Sequence, residues 1–204
     1  MTALTIAGSP AASSRTRRLA SFVTSRFDSW GVSAGELDLR ELPAEPLLRL
    51  DHRHPQLQAA LAQVASASAV VFVTPVYKSS YSGLLKAFLD LLPQDGLKGK
   101  AVLAIATAGS SAHALTLDFA LQPVLSALRA RYVLSSVHAL DYQVSWTAEA
   151  GLQLDADIAC RIEEGVRHLV NSTRPHGLST SSYPSADAFF PASAVDPELA
   201  RCWD

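Results

Sequence analysis

The sequence predicts an α/β fold: a doubly wound, five-stranded parallel sheet with helices on both faces. Three observations predict it. Short apolar runs recur five times along the chain. Segments with helical spacing separate them, and each connection is long enough for a parallel crossover. The central runs are apolar throughout, as strands covered on both faces are.

The first strand is Ala3–Ala7 (ALTIA), stopped by Gly8-Ser9-Pro10. Ser13 and Ser14 then stand before RTRRLASFVTSRF, whose Leu19, Phe22, Val23 and Phe27 have helical spacing, and a serine there is a natural N-cap. Gly31 ends that helix, and Ala34–Leu39 is the second strand. Arg40–His54 is rich in Pro, charge and His and reads as an irregular connection. Pro55 opens the next helix, at the position where its missing N–H costs nothing. Ala69–Thr74 (AVVFVT) is the third strand, and a helix over Leu84–Leu92 ends at Pro93. Ala101–Ala108 (AVLAIATA) is the fourth strand and is broken by Gly109-Ser110-Ser111. A helix over Leu117–Arg131, a fifth strand over Tyr132–His138 and a last helix over Asp155–Asn171 complete the domain, residues 1–171. Residues 172–204 turn Ser- and Pro-rich and read as a loose tail, with Phe189, Phe190 and Trp203 able to tuck onto the body or a neighbouring subunit.

Composition narrows the function. Hydrophobic residues make up 49% of the 204, charged residues 18%, and the net charge is −2. That is ample core for one domain with an appendage, and it lacks the basic face of a nucleic-acid binder. Cys160 and Cys202 are far apart with no CxxC, which predicts neither a metal site nor a disulfide framework and points to a reducing, cytoplasmic setting. MTALTIAGSP lacks the basic and apolar regions of a signal peptide. No apolar run reaches the roughly 18 residues of a membrane span.

In an open parallel sheet, ligands bind beyond the carboxyl ends of the strands, where strand order reverses. With the flavodoxin-like order 2-1-3-4-5, three unusual loops converge there. The first, GSPAASSRT, offers the hydroxyls of Ser9, Ser14 and Thr16, the Arg15 guanidinium and free amides at a helix N-terminus, a set suited to a phosphate monoester. It lacks the glycine patterns of P-loop and dinucleotide folds. The second, TPVYKSSYSG, supplies a wall: amides around Val76, Tyr77 and Lys78 face a planar heterocycle, and Tyr77 or Tyr81 can pack on a ring. The third, TAGSS, crowds nothing, so a ring edge or ribityl chain fits against it. His113 follows closely and reads first as a capping or surface residue. Lys86 and Asp90, four apart, read as a surface ion pair.

These residues resemble a known family. GSPxxxSRT, TPVYKSSYSGLLKAFLDLLP and the run from Gly109 through AHALTLDFALQPVLSAL look like the NADPH-dependent FMN reductases, closest to those that supply reduced flavin to two-component alkanesulfonate monooxygenases. The resemblance covers about residues 3–170. It implies that Ser9, Ser14, Arg15 and Thr16 hold the FMN phosphate. Pro75, Val76, Tyr77 and Lys78, with Ser79, would border the isoalloxazine, and Gly109 and Ser110 would flank its other side. It also implies hydride transfer from NADPH to flavin N5 with no catalytic side chain, a flavin-dependent monooxygenase as recipient, and a homodimer or homotetramer with flavin near a subunit interface. Arg15, Arg17, Arg18 and Lys78 are the candidate contacts for the NADPH 2′-phosphate.

In the sulfonate-linked members, the helix here spelled LDFALQPVLSAL often carries an extra residue, commonly tyrosine, that widens one turn into a π-helix at the tetramer interface. Phe119 holds that place here and lacks the phenol hydroxyl. Pro123 has no N–H for the Phe119 carbonyl, so either a wide turn forms near Phe119–Pro123 or the helix starts near Pro123. Two other functions share the fold: a reductase of quinones, azo compounds or metal oxyanions that retains its FMN, and a flavodoxin-like electron carrier.

Overall fold

The computed structural model describes residues 1–113, 115–149 and 151–173 of the chain. Strands β1 (Thr2–Ala7), β2 (Ser33–Asp38), β3 (Ala69–Tyr77), β4 (Ser80–Tyr81), β5 (Ala101–Ala108), β6 (Tyr132–Val133) and β7 (Val137–Leu140) form one sheet. Its main path runs β2-β1-β3-β5-β6. The short β4 pairs antiparallel with β3, and β7 continues beside β5, parallel to it. Counted by position across the sheet, this is the predicted order 2-1-3-4-5. The pairs β1–β2, β1–β3, β3–β5 and β5–β6 are all parallel.

Helices α1 (Arg15–Asp28), α2 (Ala44–Leu48), α3 (Pro55–Ser66), α4 (Gly83–Leu91), α5 (Gln122–Ala127) and α6 (Ala156–Thr173) cover the two faces. Side-chain alternation along the central strands divides the core. Leu4, Ile6, Val70, Phe72, Val102 and Ala104 face α3, α4 and α5. Ala3, Ala7, Val71, Val73, Leu103 and Ile105 face α1 and α6. A period of two places successive residues on opposite faces, so a continuous apolar run serves both cores. Gly165 lets α6 lie close on β5: a Cβ there would sit 2.8 Å from Leu103 Cδ2.

Four expectations are revised. The connection after β2 is not wholly irregular; it holds a 3₁₀ turn, Leu39–Glu41, and α2, because Leu39 and Leu47 are buried against the sheet and fix the backbone around them. β3 runs on through Pro75 to Tyr77 and turns straight back into β4. Lys78 (φ 51°) and Ser79 (φ 57°) make the tight turn, both left-handed although neither is glycine. The fifth strand is broken into β6 and β7, with Leu134, Ser135 and Ser136 between them. The helix expected over Leu117–Arg131 opens as a π-turn, Leu117–Leu121, continues as α5 and stops at Ala127. The Gln122 N–H reaches back five residues to the Leu117 carbonyl. Of the two readings of Pro123, the structure takes the wide turn: a proline four residues on gives the Phe119 carbonyl no α-helical donor.

Beyond the sheet, β8 (Val144–Thr147) and β9 (Gly151–Leu154) form a separate antiparallel hairpin that the sequence reading did not anticipate. α6 extends to Thr173, and the tail expected beyond it, with Phe189, Phe190, Cys202 and Trp203, lies outside the described residues. Among the described residues no helix is long and apolar enough to cross a membrane.

Candidate functional site

The carboxyl ends of β1, β3 and β5 and the loops that leave them are tied together by hydrogen bonds. After β1, the Gly8 N–H donates to the Val73 carbonyl at 2.8 Å. A Cβ on Gly8 would lie 3.0 Å from Leu85 Cβ, so only glycine lets this loop cross so near α4. The buried Ser82 hydroxyl donates to the Gly8 carbonyl, and it caps α4 by accepting the Leu85 N–H at 3.1 Å. The Ser82 N–H donates to Thr74 Oγ1 at 3.0 Å. Across the sheet, the buried hydroxyls of Thr16 and Thr107 lie 2.6 Å apart, joining α1 to the end of β5.

These ties enclose a cavity of about 430 Å³, within the range of small-molecule sites. One side is the start of α1. Ser14 is its N-cap, its Oγ accepting the Arg17 N–H at 3.3 Å, which settles the choice between Ser13 and Ser14. Ser9, Ser14 and Thr16 are all buried, yet all line the cavity. The first turn of α1 carries no acidic residue, so the positive end of its dipole is uncompensated and favours an anion. Arg15 lines the same end.

The opposite wall is the end of β3, where Pro75, Val76 and Tyr77 line the cavity. The choice between the tyrosines is decided by burial: Tyr77 is 45% exposed and available to a ring, whereas Tyr81 is 8% exposed and belongs to the core. Burial also pushes the Tyr81 phenol above its usual pKa. Gly109 lines the third side. Lys78, Ser79 and Ser110 are not among the lining residues; Lys78 and Ser79 form the hairpin tip, and the exposed Ser110 accepts the Ala112 N–H at 3.2 Å. His113 lies in the 3₁₀ turn Ser111–His113. Lys86 and Asp90 form the expected pair, Nζ 2.6 Å from Oδ1 on the outer face of α4. The carboxylate holds the ammonium above its usual pKa.

Outside the loop after β1, sequence reasoning missed three lining residues. Asp141 opens the 3₁₀ turn after β7, and its Oδ2 lies 2.9 Å from Arg15 Nη1. Trp146 projects from β8, 44% exposed, with the Arg18 guanidinium 3.7 Å from its ring centroid. Thr107 ends β5. VSWT and GLQL are four-residue runs, too short for alternation to declare the hairpin that brings Trp146 here.

Of the four cations proposed for a 2′-phosphate, Arg15 is paired with Asp141 and Arg17 with Asp38 at 3.1 Å. Arg18, stacked on Trp146, lines the cavity. Lys78 stands at the hairpin tip, outside the lining.

A crevice of this composition, open at the point where strand order reverses, is where doubly wound sheets take nucleotides. The chain is therefore a flavodoxin-like nucleotide-binding protein. Its more particular membership comes from sequence: the profile of the NADPH-dependent FMN reductases matches residues 1–144, and the chain belongs to that family. It is similar to an FMN reductase (NADPH) of Escherichia coli, 42% identical over 144 residues, which are 71% of this chain and 75% of the relative. An FMN reductase (NADPH) of Pseudomonas putida is 43% identical over 146 residues, 72% of this chain and 74% of the relative. Among solved structures, the apo form of the NADH:FMN oxidoreductase EMOB superposes with a TM-score of 0.76 at 34% identity, covering 84% of this chain and 89% of that one.

The residues present fit FMN. Buried hydroxyls and a helix N-terminus suit its phosphate, and the end of β3 with Tyr77 suits one face of its ring. Family membership makes the chain an oxidoreductase that uses FMN and NADPH.

Proposed function

We propose that this protein reduces FMN with NADPH as a flavin that comes and goes, and that the reduced FMN passes to a flavin-dependent monooxygenase of the sulfonate type. The observation that carries the proposal is the cavity itself: the buried hydroxyls of Ser9, Ser14 and Thr16 at a helix N-terminus share it with a wall made of Pro75, Val76 and Tyr77. When bound, the isoalloxazine supplies the hydride acceptor, so that NADPH, FMN and one proton become NADP⁺ and reduced FMN.

The protein's part is binding and orientation. Ser9, Ser14 and Thr16, the first amides of α1, and Arg15 hold the phosphate. Pro75, Val76 and Tyr77 press on one ring face, and the tight turn at Lys78 and Ser79 fixes the direction of their amides. Gly109 borders the other edge, and Arg18 on Trp146 takes the NADPH 2′-phosphate at the mouth. Residues 1–171 carry this activity, with 172–204 as an appendage. The cytoplasm, where the pyridine nucleotides are, is its setting.

The exposed π-turn, with Phe119 77% exposed and Leu115, two residues before the turn, 60% exposed, supports a homodimer or homotetramer built on that face. Light scattering of the wild type and of Phe119→Ser tests the assembly; an unchanged mass would remove this face as the interface.

The decisive assay follows NADPH oxidation with and without added FMN. Saturable, FMN-dependent turnover is expected, with micromolar FMN affinity by fluorescence. Mixing with a flavin-dependent sulfonate monooxygenase then supports oxygenation. No FMN-dependent turnover would sink the reading, and flavin that survives dialysis would make the protein a reductase that retains its FMN.

A further inference from the structure

We infer that Asp141 is an internal competitor of the FMN phosphate for Arg15, and so sets how tightly this protein holds its flavin. The inference rests on the cavity being the FMN phosphate site, as proposed above.

Asp141 is the only carboxylate among the described residues that line the cavity. Its Oδ2 lies 2.9 Å from Arg15 Nη1, and both side chains are about half exposed to the cavity mouth. The carboxylate is placed there by the fold. Asp141 is the first residue of the turn Asp141–Gln143, directly after β7. That turn is tied down where the Leu140 N–H donates to Gln143 Oε1 at 2.9 Å. On its other side, Oδ2 is 3.7 Å from the position a Cβ on Gly109 would take. The carboxylate thus spans from Arg15 at the start of α1 to the loop after β5, in the cavity that the hydroxyls of Ser9, Ser14 and Thr16 also line.

A phosphate monoester reaching those hydroxyls has two options. It takes Arg15 away from Asp141, or it leaves the pair intact and settles beside a like charge. Each option lowers affinity, and each acts only on a ligand that carries the phosphate. Riboflavin has the same ring and ribityl chain without that group, so Asp141 does not oppose it. A site built only to retain FMN has no use for a carboxylate in its phosphate cradle, whereas a site that hands its flavin on does.

The test measures FMN and riboflavin dissociation constants by flavin fluorescence for wild type, Asp141→Asn, Asp141→Ser and Arg15→Gln. For Asp141→Asn, FMN binding tightens by about tenfold, the scale of one partly screened charge interaction, while riboflavin moves by less than about twofold. KM for FMN falls in parallel. Asp141→Ser carries the same expectation, so the result does not hang on one variant folding. Arg15→Gln loses most of the preference for FMN over riboflavin. A wild type that holds riboflavin as tightly as FMN would remove the phosphate site itself, and the inference with it. A wild type that discriminates, with Asp141 variants that hold FMN no better or worse, overturns the competitor role alone.

Discussion

The Ser82 hydroxyl donates to the Gly8 carbonyl while accepting the Leu85 N–H, so one buried side chain joins the loop after β1 to the start of α4. Ser82→Ala leaves a buried carbonyl and a helix-end N–H unpaired. The expected cost is about 2 kcal/mol of stability. KM for FMN rises because the two walls of the cavity lose their common anchor. Chemical denaturation and steady-state kinetics check both effects; a loss of stability with KM unchanged would separate the anchor from the site.

Arg18 has no carboxylate partner among the described residues and stacks on Trp146 at the cavity mouth. Arg18→Met is expected to lower kcat/KM for NADPH by about tenfold, the scale of one hydrogen bond to a charged group, and to leave NADH nearly unaffected. Trp146→Leu, which removes the surface that aims Arg18, shifts the same ratio in the same direction by less. Equal losses with both nucleotides would assign Arg18 to something other than the 2′-phosphate.

Thr5, at the centre of β1, is fully buried and its hydroxyl finds no hydrogen-bond partner. Thr5→Val keeps the branched shape and removes the unpaired group. It is expected to stabilise the fold by about 1 kcal/mol, or raise Tm by about 2–4 °C, without altering turnover. A fall in Tm would show that the hydroxyl is satisfied in solution.

Glu163 on α6 accepts from Arg26 Nε at 2.7 Å and from Trp30 Nε1 at 3.0 Å. The Arg26 hydrogen bond holds its carboxyl below the usual pKa. A carboxyl depressed in the folded state adds stability that is complete above its unfolded pKa and vanishes as pH falls through the folded one. Glu163→Gln is therefore less stable than wild type at neutral pH, by about 1 kcal/mol or less for so exposed a pair. The gap closes in acid. Thermal melts across that range, with Trp30 fluorescence as reporter, show whether the two curves converge.

The strands were legible where burial is symmetrical. AVVFVT and AVLAIATA are covered by helices on both sides, so their apolar content is unbroken and hard to mistake. One end of the cavity was legible too, since Gly8 marks the turn after the first strand and a serine before RTRRLASFV marks a helix cap.

What escaped has physical causes. A left-handed pair such as Lys78 and Ser79 lacks the Asn-Gly signature of its turn, so the hairpin read as a loop. The fifth strand was drawn through Ser135 and Ser136, although two adjacent polar residues in YVLSSVH mark the break. That error displaced the strand end from Leu140, and Asp141 was lost with it: a residue at the carboxyl end of a strand is a site candidate only once the end is known. Trp146 depends on a four-residue hairpin strand, too short for periodicity to declare.

The broken fifth strand has a consequence for how these molecules behave beside one another. An outermost strand normally presents a row of unpaired amides and carbonyls on which a second chain can zip. Here that rim is interrupted over Leu134, Ser135 and Ser136, and the Ser136 carbonyl accepts from Arg161 Nη2 at 3.3 Å. The far rim, β2, is six residues long and carries Glu36 and Asp38. Neither margin offers a long, flat ladder, so the sheet is guarded at both ends against templated growth into fibrils.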